Sequence, residues 1–194
     1  MAKTLMVLGT ASEVGKSLIV TGLCRLFYRA GIRVAPFKAQ NMSNNAYVCL
    51  DGGEIGWAQA LQARACGLEP CVDMNPVLLK PTSDHSSQVI VQGRVWGKAS
   101  AHDFDRESLR ERVQESFWRL SHAYELVVLE GAGGAAEINL KDRDIVNFAM
   151  AEMANAPVIL VGDIDRGGVF ASLIGTMELL EPDERERVKG FIIT

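Results

Sequence analysis

A glycine-rich loop near the N-terminus constrains the fold of this chain more than any other feature. The sequence GTASEVGKS, residues 9–17, follows the apolar run TLMVL and precedes an amphipathic segment. In the common phosphate-binding loop, four residues separate the first glycine from Gly-Lys-Ser or Gly-Lys-Thr, whereas here five residues separate Gly9 from Gly15. Such a loop binds phosphate only between a strand and a helix, because backbone N–H groups and the helix N-terminus must face the anion. The motif therefore predicts an α/β fold.

Apolar runs alternate with amphipathic segments along the rest of the chain. Strands are predicted over residues 4–9, 32–38, 87–95, 125–131, 156–163 and 188–194. Helices are predicted from the loop up to a cap at Gly31, and over residues 54–67, 105–124 and 167–180. The long polar segment of residues 40–53 is predicted to be a functional loop. This order indicates an α/β fold with a mostly parallel central sheet and helices on both faces. Together with the glycine-rich loop, it predicts a P-loop NTPase-type three-layer sandwich.

Composition excludes several classes of protein. A length of 194 residues corresponds to about one domain, and 48% hydrophobic with 23% charged residues is typical of a soluble protein with a core. The net charge of −4 gives no long-range attraction for nucleic acid or an anionic membrane. There is no signal-peptide pattern, and no apolar run approaches the roughly 20 residues that span a bilayer. Because the four cysteines form no CxxC pair, we expect reduced, mostly buried thiols in a cytoplasmic protein.

The glycine-rich loop supplies the predicted nucleotide site. Lys16 would neutralise the β- and γ-phosphates of ATP, and the Ser17 hydroxyl would bind Mg²⁺. Gly15 is expected because a Cβ at this position would push the phosphates away from the backbone. The predicted nucleotide-binding residues are Gly9, Thr10, Ser12, Glu13, Val14, Gly15, Lys16 and Ser17. The alternative is a glycine-rich turn between strand and helix with an exposed lysine.

A second signal lies in VVLEGAGG, residues 127–134. Glu130 ends a buried strand, and from this position a carboxylate can reach the Mg²⁺ of a nucleotide. Asp51 and Glu54, in the polar segment after Gln40, are further candidate Mg²⁺ ligands between which the sequence does not choose. A solvated turn with an acidic residue at a helix start explains them as well.

The two glycine-rich segments resemble the dethiobiotin synthetase branch of P-loop proteins, which couple ATP to a carboxylate through an acyl phosphate or carbamyl phosphate. Five longer strings resemble the cobyric acid synthase family along nearly the whole chain: APFKAQNMS, DGGEIGWAQALQA, DMNPVLLKPTSD, AEINLKDRDIVN and VGDIDRGGVFASL. The resemblance implies ATP- and Mg²⁺-dependent amidation of four peripheral carboxylates of adenosylcobyrinic acid a,c-diamide, with glutamine as nitrogen donor.

The resemblance also implies roles for individual residues. Lys38, at the end of the second strand, would stabilise the transferring phosphoryl group, and a surface lysine in a loop is the alternative. The candidate catalytic residues are then Lys16, Lys38 and Glu130. The candidate corrinoid contacts are Lys80, Ser83, Asp84, Glu137, Asn139, Asp142, Asp163, Asp165 and Arg166. Asp163 also follows the carboxyl end of a strand, where open α/β sheets bind ligands, whereas the others could be capping and turn residues.

Members of this family continue into a glutaminase domain that releases ammonia. Residues 1–194 contain no cysteine in a nucleophile-elbow sequence, so we expect one ATP-binding synthetase domain, with the glutaminase domain absent from this chain. The expected partners are the corrinoid and ammonia, without nucleic acid or membrane, and a homodimer is compatible with the sequence. The alternatives are another dethiobiotin synthetase-like ligase and a non-enzymatic P-loop positioning ATPase. Positioning ATPases typically carry an early lysine, KGGxGK, where this chain has GTASEVGK.

Overall fold

The computed structural model describes residues 1–83, 86–100 and 106–194. The strands are β1 (Lys3–Gly9), β2 (Val34–Phe37), β3 (Gln40–Met42), β4 (Ala46–Val48), β5 (Glu54–Gly56), β6 (Val77–Ser83), β7 (Ser86–Val91), β8 (Arg94–Ser100), β9 (Leu126–Glu130), β10 (Val158–Gly162) and β11 (Val188–Ile193). The helices are α1 (Lys16–Arg29), α2 (Trp57–Ala65), α3 (Arg106–Ala123), α4 (Phe148–Met153), α5 (Val169–Leu179) and α6 (Pro182–Arg187), with 3-10 segments at Val72–Met74 and Ile138–Arg143.

The central sheet has five parallel strands in the order β11-β10-β1-β9-β2. Its strands are apolar on both faces because both faces are covered. Along β1, Met6 and Leu8 belong to one hydrophobic core, and Val7 belongs to the core on the opposite face. Residues of α1 pack into the second core, and residues of α3, α4 and α5 pack into the first. The predicted three-layer arrangement is confirmed, and it brings the carboxyl ends of β1, β2 and β9 to one edge.

Most predicted elements agree with the structure to within a few residues. The strands β1, β9, β10 and β11 and the helices α3 and α5 lie where the sequence predicts them. The predicted end of α1 is also confirmed, because Gly31 has a φ of +82° and donates its N–H to the Tyr28 carbonyl at 3.0 Å. Of the helices in the described ranges, none is both long enough and apolar enough to cross a membrane.

The segment of residues 40–56 differs from its prediction. The predicted loop contains β3, which pairs in parallel with β6, and β4, which pairs in antiparallel with β5. The helix predicted from Glu54 begins only at Trp57. The extended backbone of Gly56 (ψ 141°) is held by a hydrogen bond from its N–H to Oδ1 of the buried Asn75, at 2.9 Å. This tertiary contact ends the strand and delays the helix.

The strand predicted over residues 87–95 is a hairpin. Strands β7 and β8 are antiparallel and are joined by Gln92 and Gly93, with φ values of +46° and +80°. Two consecutive positive φ values are typical of a tight hairpin turn. The hairpin joins β6 and β3 in a second sheet, of order β3-β6-β7-β8. This second sheet was not predicted from the sequence.

Candidate functional site

The glycine-rich loop joins β1 to α1, and the N-terminus of α1 faces the candidate site. Gly15 immediately precedes the helix with a φ of +90°, and a Cβ there would also lie 3.2 Å from Cγ2 of Thr194. None of the described side chains caps this end of α1, and its first turn has no acidic residue. The N–H groups of the first turn are therefore free of side-chain acceptors, which suits this helix end to an anion.

Lys16 is buried against two loops. Its Nζ donates hydrogen bonds to the carbonyl oxygens of Ala11, at 2.7 Å, and Gly133, at 2.8 Å. Burial, assisted by repulsion from Lys38 and opposed by the charge of Glu130, lowers the pKa of Lys16 from 10.5 to about 8. A polyphosphate beside this ammonium would stabilise its charged form.

Glu130 ends β9 and lies at the centre of a buried polar cluster, with 1% of its surface exposed. Its Oε1 accepts hydrogen bonds from the Ser17 hydroxyl and from Lys38 Nζ, both at 2.7 Å. Its Oε2 accepts one from Gln62 Nε2 at 2.5 Å. Lys38 follows β2, and Ser17 lies at the start of α1. The parallel sheet therefore brings Ser17, Lys38 and Glu130 together although they are distant in the sequence.

Gln62 is a member of this cluster that the sequence reading missed. It lies on α2, it is fully buried, and its Nε2 is also 3.4 Å from the Ser17 carbonyl oxygen. Its Oε1 and the Nε2 of Gln59 are buried without a hydrogen-bond partner among the described residues. Glutamine is common on exposed helix faces, so its residue type alone gave no signal. Only its burial beside Glu130 identifies it.

A cavity of about 870 Å³ opens beside this cluster, within the usual size of a small-molecule site. Its lining includes the predicted residues Ser12, Glu13, Gly15, Lys16, Ser17, Lys38 and Glu130. Many residues between 132 and 148 also line it, with Leu179 and Leu180 of the α5–α6 region, and most of these are apolar or glycine. The cavity lining therefore combines charged and apolar residues.

The residues present fit a magnesium nucleotide. The Ser17 hydroxyl and the Glu130 carboxylate meet beside the uncapped end of α1. Mg²⁺ prefers such oxygen ligands and usually takes only one or two from carboxylates, the others coming from phosphates and water. Over the described ranges, no group of three or more His, Cys, Asp or Glu side chains could hold a metal ion.

Asp51 and Glu54, the other candidate metal ligands, lie away from this point. The Asp51 Oδ1 accepts the N–H of Gly53 in the turn between β4 and β5. The Glu54 Oε2 accepts a hydrogen bond from Lys80 Nζ at 2.8 Å. Neither carboxylate lines the cavity, so the structure does not bring them to Ser17 and Glu130.

The predicted corrinoid contacts are divided among separate places. Glu137 lines the cavity, and Asn139 and Asp142 are exposed on the adjacent 3-10 segment. Lys80 pairs with Glu54, and the Ser83 hydroxyl is hydrogen-bonded to that of Ser86 at 2.7 Å, both in the second sheet. Asp84 lies outside the described residues.

The residues that follow β10 form a loop held by ion pairs and a hydrogen bond. Arg166 pairs through Nε with Asp163 Oδ2 at 3.2 Å, and through Nη2 with Glu13 Oε2 at 3.0 Å. The N–H of Asp165 donates to Oδ1 of Asp163 at 2.9 Å. Arg166 therefore bridges this loop to the glycine-rich loop, although its own side chain is exposed.

The chain has relatives among known proteins. The family model described as the CobQ/CobB/MinD/ParA nucleotide binding domain matches residues 5–194. The chain is 61% identical over 194 residues to a cobyric acid synthase from Sorangium cellulosum, and 60% identical over 195 residues to one from Clostridium botulinum (strain Loch Maree). These matches cover 99% and 100% of this chain, but 37% and 39% of the relatives. The chain thus spans less than two fifths of the length of these relatives.

Solved structures show the same fold. The signal recognition particle receptor FtsY from Elizabethkingia anophelis matches with a TM-score of 0.57 at 16% identity, over 100% of this chain and 50% of that one. The 54 kDa signal recognition particle protein from Aeropyrum pernix, solved with GDP, matches with a TM-score of 0.54 at 14% identity, over 100% of this chain and 35% of that one. At these identities the likeness shows the fold alone, and the predicted P-loop NTPase-type fold is confirmed.

Proposed function

The chain belongs to the CobQ/CobB/MinD/ParA family of nucleotide-binding domains, and from this premise we propose that it performs the ATP-dependent step of the cobyric acid synthase reaction. It binds ATP with Mg²⁺ and activates peripheral carboxylates of adenosylcobyrinic acid a,c-diamide for conversion to amides. Ammonia comes from a glutaminase domain outside residues 1–194. The proposal rests on the similarity to cobyric acid synthases along the whole chain and on the chemistry of the cavity.

One observation carries the proposal: Ser17 and Lys38 both donate hydrogen bonds to Glu130, beside Lys16 and the uncapped end of α1. Two cations, a helix N-terminus and a pair of oxygen ligands are what a transferring phosphoryl group requires, because its reaction needs positioning and charge neutralisation. A phosphate site with only a structural role would not need the second buried lysine.

The reaction overcomes the low reactivity of a carboxylate toward nucleophiles. A carboxylate oxygen of the substrate attacks the γ-phosphorus of ATP, and the bond between that phosphorus and the β–γ bridging oxygen breaks to release ADP. Ammonia then attacks the carbonyl carbon of the acyl phosphate. Inorganic phosphate leaves, the nitrogen loses a proton, and an amide remains.

Each polar residue of the cluster has a part in this proposal. Lys16 and the N–H groups of α1 bind the β- and γ-phosphates, and Lys38 neutralises charge on the phosphoryl group during transfer. Ser17 and Glu130 hold Mg²⁺, which supplies additional positive charge to the phosphates when it is bound. Lys38 Nζ lies 2.7 Å from Oε1 of Glu130, so the second lysine directly contacts a proposed Mg²⁺ ligand.

The apolar residues that line the cavity support a corrinoid as the second substrate. A corrin macrocycle is largely apolar, and its carboxylates are at its periphery. Residues 132–148 contribute both apolar and charged lining residues, Glu137 among them, and Asn139 and Asp142 are close to Glu137 in sequence. Lys80, Ser83, Asp84, Asp163, Asp165 and Arg166 remain proposed contacts by resemblance.

Replacement of Lys16 tests the proposal directly. We expect Lys16→Met to lower ATP-dependent amidation with free ammonium by at least about 100-fold, the usual cost of removing a group that stabilises developing charge. Phosphate release and amide formation are measured with the corrinoid present. The matched control is Lys189→Met, which removes an exposed lysine of β11 and should leave turnover unchanged.

Near-normal turnover of Lys16→Met would contradict the phosphate-binding role. We also expect that glutamine cannot replace ammonium for this chain alone. Release of glutamate from glutamine by the purified chain would contradict the proposed source of ammonia.

A further inference from the structure

The buried side chain of Gln62 contacts both residues that are proposed to hold Mg²⁺. Its Nε2 lies 2.5 Å from Oε2 of Glu130 and 3.4 Å from the carbonyl oxygen of Ser17. Gln62 is on α2, whereas Ser17 and Glu130 belong to α1 and β9. A third element of the fold therefore contributes to the same point of the site.

The two oxygens of Glu130 have different partners. Oε1 accepts hydrogen bonds from the Ser17 hydroxyl and from Lys38 Nζ, and both of these residues line the cavity. The hydrogen bond that Oε2 accepts comes from Gln62. A carboxylate held at one oxygen by a donor from a separate helix has little freedom to rotate about its terminal bond. Gln62 therefore keeps Oε1 directed toward Ser17.

The orientation of the Gln62 amide is determined by the carboxylate. Reversing the amide would place its oxygen against Oε2 of Glu130, and two acceptors at that distance repel each other. With Nε2 directed at Glu130, the amide oxygen is left buried without a partner among the described residues. A buried unpaired carbonyl costs free energy. An apolar side chain of similar size would avoid this cost, but it could not donate to Glu130.

We propose that Gln62 is a positioning residue that orients the Glu130 carboxylate for the Mg²⁺ of the bound nucleotide. This role rests on the proposed function, because it requires that ATP binds with Mg²⁺ at Ser17 and Glu130. Groups that hydrogen-bond to metal ligands typically change metal affinity or activity by 10- to 100-fold when they are replaced. The amide donor of Gln62 would act on Mg²⁺ through Glu130, without contacting the ion.

The test measures ATP affinity as a function of Mg²⁺ concentration for Gln62→Met. We expect the Mg²⁺ concentration for half-maximal tightening of ATP binding to rise by about 10- to 100-fold, while ATP affinity in EDTA stays unchanged. The matched control is Gln59→Met. Gln59 is a fully buried glutamine one turn earlier on α2 that accepts a hydrogen bond from Asn41, and its amide nitrogen donates none to Glu130 or to any other described residue. Its replacement should preserve the Mg²⁺ dependence.

The outcomes separate the possible explanations. A wild-type Mg²⁺ dependence in Gln62→Met would overturn the positioning role and leave the proposed function intact. Equal loss of affinity in EDTA for both glutamine variants would show a merely structural role, which also overturns it. If Gln62→Met does not fold, Gln62→Leu also removes the amide donor without adding a charge and must show the same shift. Failure of the wild-type chain to bind ATP would overturn both proposals together.

Discussion

The phosphate side and the corrinoid side of the proposed site are built in contrasting ways. On the phosphate side, Lys16, Lys38 and Glu130 are buried, and each is held by hydrogen bonds of 2.7–2.8 Å. On the corrinoid side, Lys80 has a partly exposed ion pair with Glu54, and Asn139 is exposed. Parallel strand ends fix the first group, whereas the second group is spread over loops and a second sheet.

This contrast has an energetic consequence. A buried charge depends on its partners, so a change at one residue of the phosphate side should affect the others. Exposed pairs are screened by water and should respond independently.

The largest loss of stability is expected where the buried ion pair of Lys38 and Glu130 is broken. Lys38→Met leaves the carboxylate of Glu130 buried without its cation, and we expect the free energy of unfolding to fall by about 3–5 kcal/mol. The double variant Lys38→Met/Glu130→Gln should recover most of this loss, because the buried carboxylate that lost its cation is no longer present. Urea unfolding followed by circular dichroism measures the free energy of unfolding of the single and the double variant.

The exposed pair of Arg33 and Glu125, with side chains 68% and 56% exposed, provides the control for that experiment. Arg33→Met should change the free energy of unfolding by less than about 1 kcal/mol. If Lys38→Met cost no more than Arg33→Met, the contrast between the two sides of the site would be lost.

Replacement of Lys16 is expected to have a smaller, pH-dependent effect on the free energy of unfolding. Its pKa is about 8 in the folded chain and 10.5 ordinarily, so the unfolded chain binds more protons between these values, and the stability contributed by this group rises with pH there. Lys16→Met removes this pH-dependent contribution to the free energy of unfolding. We therefore expect its stability advantage over wild type to be greatest below pH 8 and to shrink toward pH 10.5, by at most about 1.4 kcal/mol per pH unit.

Urea unfolding of both proteins at several pH values measures this difference, and titrating groups that do not interact with Lys16 cancel in the comparison. A difference that stays constant from pH 7 to pH 10 would show that Lys16 keeps an ordinary pKa. The buried and exposed sides of the site would then differ less than their contacts indicate.

The smallest effect is expected at the exposed side. Lys80→Met and Glu54→Gln should each change the free energy of unfolding by less than about 1 kcal/mol, because their ion pair is partly exposed. Neither should change ATP affinity or its Mg²⁺ dependence. If Lys80 contacts the corrinoid, Lys80→Met raises the KM for that substrate without changing the KM for ATP.

Loss of Mg²⁺-dependent ATP binding in Glu54→Gln would instead restore Glu54 as a metal ligand. The site would then extend beyond the cavity, and the division into two sides would have to be redrawn. Steady-state kinetics with each substrate varied in turn distinguishes these results.

The parts of the fold that could be predicted are those with strong local signals. Continuous apolar runs predict β1, β9 and β10, because central parallel strands are buried on both faces. Once these strands are parallel, their carboxyl ends share one edge. The proximity of Lys38 and Glu130 then follows from topology.

The parts that were missed depend on contacts between distant residues. Gln92-Gly93 is not among the usual hairpin dipeptides, so β7 and β8 read as one strand. Glu54–Gly56 reads as the start of a helix until Asn75 holds Gly56 in an extended conformation. Gln62 is an ordinary helix residue by type, and only the packing of α2 against α1 and β2, which brings it to Glu130, gives it a role.

The contacts of Lys16 have a further consequence for ligand selection. Before a nucleotide binds, its ammonium already has two acceptors, the carbonyl oxygens of Ala11 and Gly133. A ligand must therefore offer more than a neutral oxygen to replace them, and a phosphate does so because charged acceptors form stronger hydrogen bonds. Adenosine has no such group, so it gains nothing by displacing the carbonyls. Discrimination against uncharged ligands is thus part of the resting contacts of the loop.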